Sequence, residues 1–198
     1  VHAQHLNPSQ VLVIYNKADP DSKKLAEFYQ NARNIPADQI LGLTLTNQQD
    51  ISRKEYETTL QKPLRDHFTK QNWWKRSKDR SGIIVPTENK ILAIVLMKGV
   101  PLRIKAEPAD AAQAKLPAQQ QMINTDQASV DSELTLFGVD VQSHKSAIPN
   151  AFYDSQHSLT KIKIPHLVLV NRIDAPSYQI CERMITDAIE TEKHGLWG

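Results

Sequence analysis

The run Ile91 to Met97 (ILAIVLM) is apolar at every position. A strand with one wet face alternates apolar and polar side chains, so a strand that is apolar throughout must be covered on both faces. Three further runs have a similar character: Gln10 to Tyr15 (QVLVIY), Ile40 to Leu45 (ILGLTL) and His166 to Val170 (HLVLV). Each of the four is followed by a segment with helical spacing. After the first, Asp19 is placed to cap a helix with Pro20 at its first position, and Leu25, Phe28, Tyr29 and Ala32 share one face. After the second, Ser52-Arg53-Lys54-Glu55 reads as a capping box, continued by Tyr56, Leu60, Leu64 and Phe68. Pro63 falls inside that helix, where its missing N–H and its ring predict a kink or a split. After the third, Asp126 to Phe137 fits a helix with Val130, Leu134 and Phe137 inward. After the fourth, Pro176 opens a helix with Ile180, Cys181, Met184, Ile185, Ala188 and Ile189 on its inner side, ended by Gly195.

Strand followed by helix, four times over, predicts an α/β fold: a three-layer sandwich around a mostly parallel four-stranded sheet with helices on both faces, caspase-like or flavodoxin-like. Right-handed crossovers place the strands in the order 2-1-3-4. The 198 residues suffice for one sizeable core, and the reading is a single domain over 1–198. Trp73 to Lys90 is irregular and polar and reads as a loop. Lys105 to Thr125, rich in Ala, Gln and Pro, reads as a mobile insertion, and 138–163 as a long connection.

The net charge of +2 and pI near 8.6 are too weak to argue for nucleic acid. Trp73-Trp74-Lys75-Arg76-Ser77-Lys78 mixes aromatic and cationic residues, but in a nearly neutral chain the tryptophans read as cover for the core. No apolar stretch approaches the roughly 18 residues that a membrane crossing needs. The single cysteine, Cys181, excludes an internal disulfide, a CxxC redox motif and a cysteine-rich zinc site. Its place on an apolar helix face reads as packing. There is no HExxH, so no metal is expected. There is also no GxGxxG, P-loop or GxSxG, so no cofactor is expected.

Open parallel sheets bind ligands beyond the carboxyl ends of their strands. The chain sets Asn16 and Lys17 after the first strand, Lys98, Gly99 and Arg103 after the third, and Asn171, Arg172 and Asp174 after the fourth. The helix ASVDSEL adds Asp131, Ser132 and Glu133. These groups are expected at one edge of the sheet, with Lys98 and Arg103 opposite Asp131, Glu133 and Arg172. Two readings compete. One is an internal salt-bridge network, with Arg172 paired to Asp131 or Glu133 and Asp174 capping the last helix. The other is a site for a polar, anionic ligand.

Four segments, VLVIYNKADPDSKKLAEFYQNARNIP, LMKGVPLRI, ASVDSEL and VLVNRIDAPSYQICERMITDAIETEKHGLWG, occur in this order here. Together they resemble an uncharacterised family of bacterial, exported proteins, and KGVPLRI with SVDSEL is the specific part of the likeness. More distantly, VNRIDAPS…IETE is similar to the strand-Arg-helix segment in the amino-terminal subdomain of gingipain-type cysteine peptidases, which have a caspase-like fold. Those enzymes use a His and a Cys placed after that segment, where this chain reaches Gly198, so their activity is not carried over. Val1 and Ala3 also have the small-residue spacing seen before a signal-peptidase cut, in keeping with export. The ending GLWG suggests the first half of a larger protein, with a downstream domain of the same polypeptide as a partner. The expected function is a non-catalytic α/β domain in binding or scaffolding. The alternatives are the first half of a gingipain-like hydrolase with its catalytic residues beyond Gly198, and a small anionic-ligand binding domain.

Overall fold

The computed structural model describes residues 6–106, 126–140 and 164–195. The main sheet holds β1 (Val11–Asn16), β2 (Ile40–Leu43), β6 (Ala93–Met97) and β9 (Leu169–Ile173) in the order β2-β1-β6-β9, parallel throughout. This is the 2-1-3-4 order expected from right-handed crossovers. Strand alternation then divides the core in two. Leu12, Ile14, Ile94 and Leu96 face one layer, built from α2 (Arg53–Glu55), a π-helical stretch (Tyr56–Gln61), α3 (Lys62–Lys70) and α4 (Val130–Thr135). Val11, Val13, Ala93, Val95 and Met97 face the other, built from α1 (Pro20–Arg33) and α5 (Tyr178–His194). The central strands β1 and β6 are therefore covered on both sides, as a three-layer α/β sandwich requires, while the outer strands β2 and β9 are mostly half-buried.

The caps form as the residues dictate. Asp19 accepts hydrogen bonds from the backbone N–H groups of Asp21 and Ser22, and Ser52 and Glu55 close a capping box. Pro63 splits its helix in a particular way. The turn before it widens to π geometry, with the Lys62 N–H donating to the Glu57 carbonyl five residues back, and regular α-helix resumes at Lys62. A proline has no N–H to give its own turn, and a π turn absorbs the mismatch.

Trp73 to Lys90 is not a loop. It forms an antiparallel hairpin, β4 (Trp74–Lys78) with β5 (Ile84–Asn89), whose register shifts between Lys75 and Arg76 opposite Pro86. The hairpin lies on the surface, so polar residues such as Lys75 and Glu88 pair across it at 2.9 Å. The Asp79 carboxylate, accepting from Ser81 and Ile83 N–H, shapes its turn. Trp73 is buried all the same, and Trp74 stacks on Phe137 with centroids 5.4 Å apart. Arg65 and Arg76 both hold Asp140 at the base of this hairpin.

Two helices differ from expectation. The segment from Asp126 is helical only over Val130–Thr135, because Ala128–Ser129 (β8) is held extended against Arg103–Ile104 (β7), which itself pairs with Asp50–Ile51 (β3). In α5, capped by Ser177 rather than opened by Pro176, Cys181 and Ile185 are buried and Ile189 is half-buried, but Ala188 is exposed and Ile180 and Met184 are 47% and 45% exposed. A helix over the edge strand β9 finds the sheet with one stripe only, and Ile180 and Met184 flank it. The expected insertion over Lys105 to Thr125 and the connection over 138–163 lie almost wholly outside the described residues.

Within one layer, Phe68 ties α3 to the hairpin and to the segment after α4. Its ring meets Trp73 at 5.3 Å, Trp74 at 5.1 Å and Phe137 at 4.8 Å and is fully buried. Phe68→Ala is expected to lower unfolding free energy in denaturant titration by about 3–5 kcal/mol. Beside it, His67 packs edge-on to Trp73 at 4.9 Å, and burial pushes its imidazole pKa below 6.5. The unfolded chain thus takes up the proton first. This contribution to stability is whole above pH 6.5 and is lost as pH falls through the folded-state value. Thermal melts across that range should show a decline that His67→Gln flattens.

Candidate functional site

β1 and β6 lie side by side, but the chain leaves them in opposite senses: from β1 it passes through α1 on one face to β2, and from β6 it passes through α4 on the other face to β9. A crevice at their carboxyl ends follows from that divergence. Asn16 fills it. Its side chain is fully buried, with Oδ1 accepting from the N–H groups of Ala18 (3.0 Å) and Leu45 (3.1 Å). Its Nδ2 reaches the carbonyls of Gly99 (2.9 Å) and Thr46 (3.3 Å) and Oδ1 of Asn47 (3.1 Å). One amide thus ties together the loops after β1, β2 and β6. Gly99 has φ 90, and a Cβ there would collide with the Asp19 side chain, so glycine is required on both counts.

The other expected groups gather at this end of the molecule but divide into pairs. Arg172, on β9, is 12% exposed. Its guanidinium grips the Asp131 carboxylate, with Nη2 at 2.5 Å and Nε at 3.1 Å, and donates to the carbonyls of Val100 (2.7 Å) and Pro101 (3.0 Å). Lys98 sits 3.8 Å from Asp174, both partly exposed. Arg103 turns away to Asp50 across the β3–β7 ladder, at 2.8 and 3.0 Å. Glu133 pairs with Arg53 at 2.9 Å, and Arg53 also donates to the Asp126 carbonyl at 2.6 Å. Asp131 and Glu133, two apart on α4, point to different sides of the helix and serve different arginines. Asp174 does not cap α5; Ser177 does.

Arg53, Asp50, Asn47 and Asp19 were not among the expected site residues. Arg53 carries the least obvious signal, since it sits inside a capping box at a helix start where an exposed side chain is the ordinary outcome. Asp50 had no pattern to mark it, because its two-residue strand is too short to show a period.

Cys181 is buried in the α1–α5 layer, where desolvation raises its thiol pKa and keeps it in the weakly nucleophilic form. Among the described residues no group of three His, Cys, Asp or Glu is placed to hold a metal ion, and no helix is long and apolar enough to cross a membrane. Comparison with protein-family models, curated proteins and solved structures finds no match to this chain.

Asn16→Ala removes acceptor and donors at once and leaves buried backbone groups unpaired. It is expected to destabilise by about 2–4 kcal/mol. Asn16→Asp keeps the shape but turns a carboxylate oxygen toward the Gly99 and Thr46 carbonyls, so at neutral pH it should be nearly as damaging in the same denaturation measurement.

Proposed function

We propose that this chain is a non-catalytic α/β domain of an exported bacterial protein, acting in binding or scaffolding, and that its charged crest is a structural clamp. The single observation behind this reading is the state of Arg172. Its guanidinium is largely buried and is engaged by one carboxylate and two carbonyls of its own chain. An anion entering here would have to displace Asp131 and strip two backbone bonds, a poor exchange for a ligand of the same charge. The exported, bacterial setting is supported by the resemblance of the four segments that run from VLVIYNKADP to GLWG.

The clamp also has a mechanical consequence. Arg172 joins β9 to the Val100–Pro101 turn after β6 and to α4, and Arg53 joins α2 to the same α4 through Glu133. A short helix, seated by its buried Val130 and Leu134, is thereby also held by two ion pairs on opposite sides.

Arg172→Ala separates the two meanings of the crest. As a clamp, the change should cost about 3 kcal/mol in chemical denaturation, because it strands Asp131 and two carbonyls. Arg172→Lys should recover only part of that, since an ammonium cannot fork between a carboxylate and two carbonyls. A cost below about 1 kcal/mol, the range of exposed pairs, together with lost stabilisation by phosphate or sulfate in thermal melts, would instead mark a ligand site and reject the clamp.

A further inference from the structure

β2 is an edge strand: among the described residues it pairs with β1 alone. The Lys17 N–H donates to the Leu43 carbonyl at 2.8 Å, so the Leu43 and Leu41 peptide groups face β1. Alternation then turns the N–H and C=O of Gly42 outward, with no partner strand. Next to this open edge, between β2 and the π-to-α helical segment, lies a shallow open cleft of about 480 Å³. Leu41, Leu43 and Pro63 make an apolar wall, and Lys62, His67 and Lys70 stand around it. Lys62 is engaged by Asp66 at 2.6 Å. Lys70 has no ion-pair partner among the described residues. Lys17, whose side chain lies against Gly42 on the other face of the same strand, has none either.

We infer that this edge binds an extended acidic peptide by strand addition, with Gly42 supplying the backbone pairing and Lys17 and Lys70 receiving carboxylates. The inference rests on the reading of the domain as a binding module and names the class of partner. A shallow trough with a free strand on one side suits a ribbon of chain, which draws affinity from main-chain hydrogen bonds and selectivity from alternate side chains. A compact small molecule would need a deeper pocket that encloses most of its surface. A Cβ at position 42 would collide with the Tyr15 ring and the Lys17 side chain, so glycine lets Tyr15 and Lys17 lie over β2 on one face and leaves the in-plane edge to the backbone. Cations on both faces of one edge also discourage a second, similarly charged β2 from pairing there, while attracting a strand of opposite charge.

The test uses a short fluorescein-labelled peptide alternating Val and Glu, titrated into the intact protein and followed by anisotropy, with amide hydrogen exchange read at Gly42. Saturable binding that weakens with added salt and slows exchange at Gly42 is expected. The double change Lys17→Glu and Lys70→Glu, at exposed positions, should weaken binding roughly tenfold or more and transfer preference to a Val–Lys peptide. Absence of saturable binding, binding indifferent to the charge reversal, or binding that leaves Gly42 exchange unchanged would each overturn the inference. If the double variant folds poorly, Lys70→Gln alone and the Gly42 readout in the unaltered protein decide the question. The Arg172 measurement reads stability and this one reads binding, so failure here stands apart from failure of the clamp.

Discussion

The parallel pairing of β1 with β6, each strand buried on both faces, is the constraint from which the remaining structure follows. Val11 to Ile14 and Ala93 to Leu96 run in register, and both strands are almost without solvent exposure. Neither can be stable unless apolar layers cover both sides of the sheet, so one helical layer on each face is obligatory. The same pairing creates the weak point of the fold. Where the two strands end, their connections leave in opposite directions, and a gap opens over buried backbone groups. Asn16 closes it from below and Arg172 from the side, each by satisfying carbonyls of the turn that begins at Lys98.

This arrangement explains why the crest is rich in charge yet poor in available charge. A cluster of cations and carboxylates has two ways to be stable. The groups can hold a ligand, or they can satisfy one another and the backbone. Here Arg172 takes Asp131, Lys98 takes Asp174, Arg103 takes Asp50 and Arg53 takes Glu133, and each pair bridges different elements. Lys17 and Lys70, which pair with no carboxylate among the described residues, stand instead beside β2, where the sheet is open and backbone groups face outward. The binding surface inferred for this domain thus lies where the chain has not satisfied itself.

Much of the fold was legible because it depends on local signals that act independently. Continuous apolar runs marked β1, β2 and β6, Asp19 and the Ser52–Glu55 box marked helix starts, and Pro63 marked the break within its helix; the fourth run, His166 to Val170, met only the first two residues of β9, which goes on through the polar Asn171 and Arg172. The hairpin from Trp74 to Asn89 was missed because a surface antiparallel pair needs neither a continuous apolar run nor a clean alternation, and its register shift at Pro86 blurs the period further. The shortness of α4 was hidden for a related reason: Ala128 and Ser129 have no strong preference of their own and are extended only because Arg103 and Ile104 lie beside them. In the candidate site, Asn16, Lys98, Asp131, Arg172 and Asp174 engage the turns and helix beyond β1, β6 and β9, whereas Arg103 and Glu133 turn to Asp50 and Arg53, and this division into pairs was not readable.

The sequence by itself determined the layer architecture, the strand order and the end of the sheet where polar groups collect. Those follow from hydrophobic period, capping chemistry and the handedness of crossovers, each a property of a short stretch of chain or of its connection. Tertiary structure alone decided the pairing of charges, the burial of Arg53, and the exposure of Ile180 and Met184. An ion pair depends on distances of a few ångströms between residues far apart in the chain, such as the 41 positions between Asp131 and Arg172. A helix face is buried only if the sheet beneath it is wide enough to reach it. No local pattern encodes either quantity, because both arise when the strands have already assembled.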